Sequence, residues 1–382
     1  MKKALIPALL IIFMVVAGLL TTVNRACAQN APAGSAGTEK TAEQVFKNIQ
    51  TLKGIPADQL QPTMQFISNS LGVGCEFCHV ENAFEKDDKK SKLAARKMIE
   101  MEMAINKTHF DGDLRVTCNS CHHGAHEPTA IPAIPDEEPT RVEVARTEGA
   151  KAELPSADQI IDKYLQAVGG AEALQKITSR AEKGTINFGG RQFPVDVLAK
   201  APNKRISTVH MQNGDNITAY DGQAGWLGNP GPRPPRDMTA QEVDAISFDA
   251  AFYLPVEIKT MFIQLFVRPT TDKVGGHEVY QVIGNKPGKP PLRFFFDKES
   301  GLLLRTVRYT ETPLGRNPTQ VDYADYRSEG GVKIPFQWTV ARPLGRFTIQ
   351  VSDVQQNVAI DDAKFQKPAA APAPAEQKPA EK

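Results

Sequence analysis

Cys75-Glu76-Phe77-Cys78-His79 and Cys118-Asn119-Ser120-Cys121-His122 decide how this chain is read. Both have the form C-x-x-C-H. With that spacing, two thiols on one turn of backbone add across the vinyl groups of a single porphyrin, while the adjacent histidine reaches its iron. One short segment therefore fixes both the macrocycle and a ligand. A redox disulfide would need a βαβ setting, and these pairs sit among helical patterns instead. A shared structural zinc fits no better, because the 39 residues between Cys78 and Cys118 exceed the ribbon spacing of about 15–20. The expected cofactor is two covalently bound haem c groups, held by Cys75, Cys78 and His79 and by Cys118, Cys121 and His122.

The N-terminus supplies the compartment. Lys2 and Lys3 precede an apolar stretch over residues 4–23, and Ala26-Cys27-Ala28 offers small residues for cleavage. Residues 1–28 thus read as a secretory signal peptide, which places the mature chain in the periplasm. An uncleaved membrane anchor is the rival, since the stretch is near the roughly 20 residues that span a bilayer. A lipoprotein anchor at Cys27 fits less well, because Asn24 and Arg25 stand where that signal needs apolar and small residues. Cleavage takes the basic count from 45 to 42 against 44 acidic residues, so the net charge moves from +1 to −2. A field this weak argues against a nucleic-acid partner. After cleavage, every remaining cysteine lies in one of the two motifs.

The chain of 382 residues, 41% hydrophobic, is long enough for about two domains at roughly 100–200 residues each. Residues 29–40 form a flexible lead. A capping box at Thr41 and Gln44, followed by Val45, Ile49 and Leu52, predicts a first helix. A second is expected over 61–70 with Pro62 in its first turn and Gly72 and Gly74 ending it, and a third over 91–106. Residues 41–127 are therefore read as an all-α diheme domain.

Saturating each iron needs a ligand from the other face, and a methionine thioether raises the potential relative to a second histidine. Met64, on the helix running into the first motif, is the candidate for the first haem. For the second, Ala94, Met98, Met101 and Ile105 share one helix face, whereas Met103 points elsewhere. His109 is an alternative by proximity. His123 and His126 are expected at the surface, and His210 and His277, without a nearby cysteine or carboxylate cluster in sequence, are expected to be structural.

Pro128, Pro132, Pro135 and Pro139 make residues 128–155 a stiff linker. A new domain over 156–366 opens with a capping box at Ser156 and Gln159 and a helix carrying Ile160, Ile161, Tyr164, Leu165 and Val168, which Gly169-Gly170 stops. Beyond Ser179 the apolar period becomes two. Strands are predicted over 180–188, 191–200, 205–212, 216–220, 277–284, 292–297, 302–309, 319–327, 332–341 and 347–354, with a helix over 241–254. Short Gly-Gly turns favour hairpins and a large antiparallel meander. Residues 367–382, built from Pro, Ala, Glu, Gln and Lys, are expected to be disordered.

The run from Ser70 through His79, then Ala95-Arg96-Lys97-Met98-Ile99-Glu100-Met101, Ala104-Ile105-Asn106 and Val116-Thr117-Cys118 through Gly124 resembles the cytochrome c subunit of photosynthetic reaction centres. The resemblance covers about residues 41–128 and implies one two-haem half of a four-haem protein, with each haem bound by a helix, a turn and C-x-x-C-H. It implies Met64 on the first iron. It also implies Met98 on the second, because Met98 falls on the family's Ala-Arg-x-Met position, leaving Met101 as a packing neighbour. The other two-haem half is missing, so a photosynthetic role does not follow.

More weakly, residues 156–366 resemble the curved half-barrels of periplasmic lipoprotein carriers, through Val168-Gly169-Gly170 and the segment from Tyr220-Asp221-Gly222 to Gly225-Trp226. Such folds hold an apolar ligand on the concave face of the sheet. Phe294, Phe295 and Phe296 with Met261, Phe262 and Phe266 are candidates to line that face, but an ordinary sheet core is the simpler reading and the one adopted.

The expected architecture is multi-domain: an all-α c-type diheme domain, then an α+β domain with a large curved antiparallel sheet. The expected function is electron transfer between redox partner proteins, including a membrane-associated electron-transfer complex. The chain is read as an electron carrier and not an enzyme, because two irons with both ligands in place would leave no open site for substrate; it carries no G-x-S-x-G, H-E-x-x-H or phosphate loop. Two rivals stand beside it: a carrier or sensor whose β domain binds a lipid or other apolar ligand, and a haem enzyme such as a peroxidase, which needs one iron with an exchangeable position.

Overall fold

The computed structural model describes residues 40–128, 154–231 and 234–368. The predicted export signal and nearly all of the predicted lead, linker and tail lie outside these residues. Helices and strands are numbered in chain order.

The first part is helical: α1 (Ala42–Val45), α2 (Ala57–Leu71), a 3-10 turn (Cys75–Phe77), α3 (Lys90–His109) and α4 (Cys118–His122). The first helix is shorter than its apolar spacing predicts. Ala42 N–H donates to Ile55 O and Ala57 N–H to Lys40 O, both at 2.9 Å, so the segment folds back as a loop. Asn48 and Leu52 take left-handed φ values of 59°, which a continuing helix does not allow. The second helix begins four residues earlier than predicted and contains Pro62 in its interior, a placement that removes one helical donor.

Glycine is required at the end of α2. Gly72 has φ +67°, and a Cβ there would lie 2.1 Å from Gly124 O. Gly124 in turn donates its N–H to Ser70 O at 2.8 Å. The turn after the second motif is thereby seated on the helix that leads into the first.

The second part begins with α5 (Ala157–Ala167) and α6 (Gly170–Gln175). Ser156 Oγ accepts from Gln159 N–H at 3.2 Å, the predicted cap. The strands are β1 (Ser179–Phe188), β2 (Arg191–Lys200), β3 (Lys204–Met211), β4 (Gly214–Tyr220), β5 (Gly225–Gly228) and β6 (Arg236–Asp237). After α7 (Ala240–Asp249) and α8 (Leu254–Glu257) come β7 (Gln264–Arg268), β8 (Lys273–Val274), β9 (His277–Asn285), β10 (Leu292–Asp297), β11 (Leu303–Thr312), β12 (Gly315–Glu329), β13 (Val332–Arg342) and β14 (Gly345–Gln356). The single helix predicted over 241–254 is broken in two, because Phe252 N–H donates to Pro202 O at 3.0 Å instead of to its own helix. Strands β5 to β8 escaped prediction: at two to five residues their alternation is too brief to register.

All strands form one antiparallel sheet in the order β6-β5-β4-β3-β2-β1-β14-β13-β12-β11-β10-β9-β7, with β8 on β9. Two meanders meet where β1 pairs with β14, Thr185 opposite Gln350. Gly184 sits at a register shift there, and a Cβ would meet Gln350 O at 2.1 Å. One face of the sheet wraps the apolar side of α5. Ile160, Ile161 and Tyr164 are buried against Val195, Val197, Phe294, Phe296 and Ile334, and the Tyr164 and Phe296 rings lie 5.3 Å apart.

The two parts share a core. Leu314, at the tip of the β11–β12 hairpin, is only 1% exposed and packs with Leu52, Phe66 and Ile99 of the helical part. Asn317 Nδ2 donates to Pro62 O at 3.0 Å and its Oδ1 accepts from Asn69 Nδ2 at 2.8 Å. A Cβ at Gly315 would reach 2.2 Å from Phe66.

Candidate haem sites

Each C-x-x-C-H segment forms one tight turn. The first is the 3-10 turn, closed by His79 N–H donating to Cys75 O at 2.9 Å. Helix α3 pins it: Ser91 Oγ donates to Phe77 O at 2.6 Å, and Lys89 Nζ donates to Glu76 O. The second is α4, which turns off at His123 with φ 50°. Its approach is held by Asn106, 6% exposed. The amide Oδ1 accepts from Arg115 N–H and Val116 N–H at 3.0 and 2.9 Å, and Nδ2 donates to Val116 O at 2.7 Å. Asn106 thus splices the segment before Cys118 onto α3, a role that its place in the sequence did not reveal.

Both motif histidines make the same backbone contact. His79 Nδ1 lies 3.0 Å from Phe84 O, and His122 Nδ1 lies 3.0 Å from Ala125 O. A carbonyl can only accept, so each Nδ1 carries a proton, and in the neutral ring this leaves the lone pair on Nε2. That tautomer, fixed by a backbone acceptor, is what a metal-ligating imidazole requires.

The four cysteines are free thiols, with Cys75 and Cys121 exposed and Cys78 and Cys118 half-buried. Burial pushes the Cys78 thiol up. Cys118 rises further through burial and its hydrogen bond to Glu102, with Sγ donating to Oε2 at 2.8 Å. Glu102 is 4% exposed, its Oε1 has no partner, and burial raises its pKa.

A cavity of about 300 Å³ opens beside the second motif. Ala94, Met98, Met101 and Ile105, the face read from periodicity, all line it together with Cys118, Cys121 and His122. Met103 does not. Met98 and Met101 are 44% and 46% exposed, so both thioethers present themselves to the open space. His126 also lines the cavity, its ring 5.6 Å from that of Phe77, which the expectation of a plain surface histidine did not include. His109 and His123 are exposed and line none of it. Of the first set, only Cys78 reaches this cavity. Met64 is half-buried against Leu52, Phe66, Ile99 and Leu314; neither it nor Cys75 nor His79 lines the space. The second set fits haem c, with a thiol pair, an imidazole and open thioethers around one cavity; the first supplies the thiol pair and the imidazole on one turn, with Met64 packed apart from them.

The sheet departs from its reading at two points. His210 lies between Asp215 Oδ1 at 2.9 Å and Asp196 Oδ2 at 3.1 Å. Both carboxylates come from paired strands, so the cluster is invisible in sequence. Its three side chains are 40%, 45% and 47% exposed. His277 Nδ1 lies 3.7 Å from Asp297 Oδ2. The aromatic run is core: Phe294 and Phe296 are fully buried, Phe295 packs with Val274 and Val279 on the other face, and Phe266 is 40% exposed. Met261 and Phe262 pack against the core. The concave face nevertheless holds a cavity of about 580 Å³ with other walls, among them Phe248, Trp338, Phe347 and Ile349.

Residues 19–160 match the family model described as the photosynthetic reaction centre cytochrome C subunit. The chain is 36% identical over 85 residues to cytochrome c-554 of Chloroflexus aurantiacus, covering 20% of each chain. It is 31% identical over 106 residues to the photosynthetic reaction center cytochrome c subunit of Roseobacter denitrificans, covering 25% of this chain and 28% of that one. For the same subunit of Thermochromatium tepidum the identity is 34% over 92 residues, covering 23% and 22%. The chain thus spans between a fifth and three tenths of the length of these relatives. Among solved structures, a LolA superfamily protein from Nitrosomonas europaea is similar at 12% identity and TM-score 0.37, covering 56% of this chain and 99% of that one. A DUF1329 family protein from Desulfovibrio piger gives 14%, 0.38, 55% and 96%. The N-terminal region, with its two C-x-x-C-H turns, resembles the cytochrome c subunit of photosynthetic reaction centres.

Proposed function

We propose that the chain is an exported, periplasmic diheme c-type cytochrome that passes electrons between redox partner proteins, including a membrane-associated complex. The observation that carries this reading is the paired tautomer: His79 and His122 each give Nδ1–H to a backbone carbonyl at 3.0 Å and keep Nε2 free. Two identical arrangements, each one residue after a free thiol pair, are what iron ligation at two sites needs.

In this reading residues 41–127 form the haem-bearing domain and residues 156–366 the sheet domain. Cys75, Cys78 and His79, with Met64, would hold one haem, and Cys118, Cys121 and His122, with Met98, would hold the other. Bound haem supplies one-electron chemistry at the iron. The polypeptide would contribute the thioether tethers from the four cysteines and orients the imidazoles through Phe84 O and Ala125 O. With a methionine and a histidine on each iron, no position would be left for a substrate, which supports the carrier reading.

The test is the mass of the denatured, exported protein with a redox-titrated spectrum, run beside Met64→Ala and Met98→Ala. The expected result is a mass increase of two haems and two potentials, each variant lowering one of them. Absence of haem after expression with a working maturation system refutes the reading. Binding of carbon monoxide to the unaltered protein would instead favour a haem enzyme.

The open cavity on the concave face supports a second reading for the sheet domain, as the holder of an apolar ligand.

A further inference from the structure

Three hairpins of the sheet end side by side, and their tips meet different surroundings. The β11–β12 tip buries Leu314 in the helical core. The β13–β14 tip, next to it through the pairing of Gln320 with Ala341, leaves Leu344 53% exposed. The β1–β2 tip follows, where Phe188 stands opposite both Arg191 and Phe347, and it leaves Phe188 57% exposed. A Cβ added at Gly189, Gly190 or Gly345 would meet nothing within 4 Å, so both of these turns project into open space. Strands β2, β1, β14 and β13 are consecutive in the sheet, which puts the two turns about 10 Å apart.

The charge at these two tips is of one sign. Arg191, Arg342 and Arg346 are exposed, and Arg342 and Arg346 stand opposite Gly345 and Ala341 in the hairpin register. The arginine ion pairs among the described residues belong to other arginines. Residues 184–195 and 336–351 contain no Asp or Glu. Asp196 and Asp215, farther along β2 and β4, are engaged with His210. Beside the β13–β14 tip, a cavity of about 770 Å³ is lined by Pro343 and also by Leu114 and Arg115, from the segment before the second motif. Its acidic groups are already occupied, Asp113 by Arg115 at 3.6 Å and Glu311 by Arg316 at 2.7 Å.

Large apolar side chains on projecting turns, flanked by arginines, match an anionic bilayer. The apolar groups enter the interface while guanidinium groups meet lipid phosphates. A protein partner needs a complementary face of roughly 800 Å², which two separate tips do not supply, whereas a fluid bilayer accepts projections of any shape.

We propose that the β1–β2 and β13–β14 tips dock on an anionic lipid bilayer, with Phe188 and Leu344 entering the interface and Arg191, Arg342 and Arg346 meeting its phosphates. Docking at this end holds the segment before the second motif near the membrane. The inference deepens the membrane association of the proposed function, and its failure leaves the haem count and the potentials untouched.

Sedimentation of the haem-loaded chain from Gln29 onward, which lacks the apolar N-terminal stretch, with phosphatidylglycerol and with phosphatidylcholine vesicles tests it. Binding to the first should exceed binding to the second about a hundredfold. Arg191→Gln/Arg346→Gln should weaken binding to phosphatidylglycerol about twentyfold or more, and Phe188→Ser/Leu344→Ser about tenfold or more. All four side chains are exposed, so neither pair should unfold the chain. Phe188→Trp gives an independent reading, its emission moving to the blue with phosphatidylglycerol vesicles beyond any change in the unaltered chain. Equal binding to both lipids overturns the role of the arginines, and binding that survives both paired variants overturns the assignment to these tips. Absence of binding to either vesicle overturns the proposal; retention on immobilised polyglutamate, lost in the arginine pair, would then assign the tips to an acidic protein.

Discussion

The helical and sheet parts of this molecule solve the problem of a core in opposite ways. The sheet part buries its aromatic residues: Phe294 and Phe296 are fully enclosed, and α5 presses its apolar side onto the strands. The helical part encloses little more than Leu52, Phe66 and Ile99, and completes even that cluster with Leu314 from the β11–β12 hairpin. Among the described residues, ten of the fifteen large apolar side chains left exposed lie between Val45 and Leu114. A segment of this size seldom folds on such a core without staples or a cofactor. The exposed Met98 and Met101, facing a cavity beside free thiols, are what a region built around porphyrin would show. The sheet part needs no such filler.

Breaking haem attachment should separate the two parts most sharply. With Cys75, Cys78, Cys118 and Cys121 all replaced by Ala, helical circular dichroism should fall and trypsin should cut within residues 40–128, while the sheet region survives intact. Equal loss in both regions would mean that the sheet depends on haem as well.

Core truncations sharpen the contrast. Phe296→Ala should cost about 3–5 kcal/mol and loosen the sheet throughout. Leu314→Ala, at an equally enclosed position, should cost about 2–5 kcal/mol, but the loss should appear in α2 and its neighbours. Hydrogen exchange resolved by peptide distinguishes the two outcomes. Protection lost only in the strands on Leu314→Ala would contradict a shared core.

Acid gives the smallest effect. In the helical part, hydrogen bonds from Arg96, Asn48 and Lys92 hold the Asp87 carboxyl well below the usual range. In the sheet part Lys200 and Lys204 lower Asp362 to about 2. Both values are depressed in the fold, so the stabilisation is present above the unfolded aspartate value of about 3.9 and is lost as pH falls through the folded value. Asp362 is exposed and Asp87 partly so, and the loss should be slight. Hydrogen exchange between about pH 4 and pH 2 should show fraying near residues 360–366 that Asp362→Asn already shows at neutral pH.

Much of this was legible without coordinates. The C-x-x-C-H spacing is local chemistry, complete within five residues. The cap at Ser156 is formed within four residues, the box at Thr41 only through its N–H to Gln44 Oε1, and ten of the strands carry an alternation long enough to read. The shared face of Ala94, Met98, Met101 and Ile105 follows from helical geometry alone. The tautomers of His79 and His122 were not legible as such, although their acceptors lie only five and three residues away, because a backbone carbonyl carries no sequence signature.

Sequence by itself determined the two C-x-x-C-H turns and the change of period that separates helices from strands, because both are set by spacings of a few residues. Only the tertiary structure decided that Leu314 enters the helical core, that Asn317 holds Pro62, that Asp196 and Asp215 flank His210, and that the tips bearing Phe188 and Leu344 stand side by side. Those partners come from separate stretches of chain or different strands. Pairing at such distances is fixed by strand register and loop path, which no local pattern encodes.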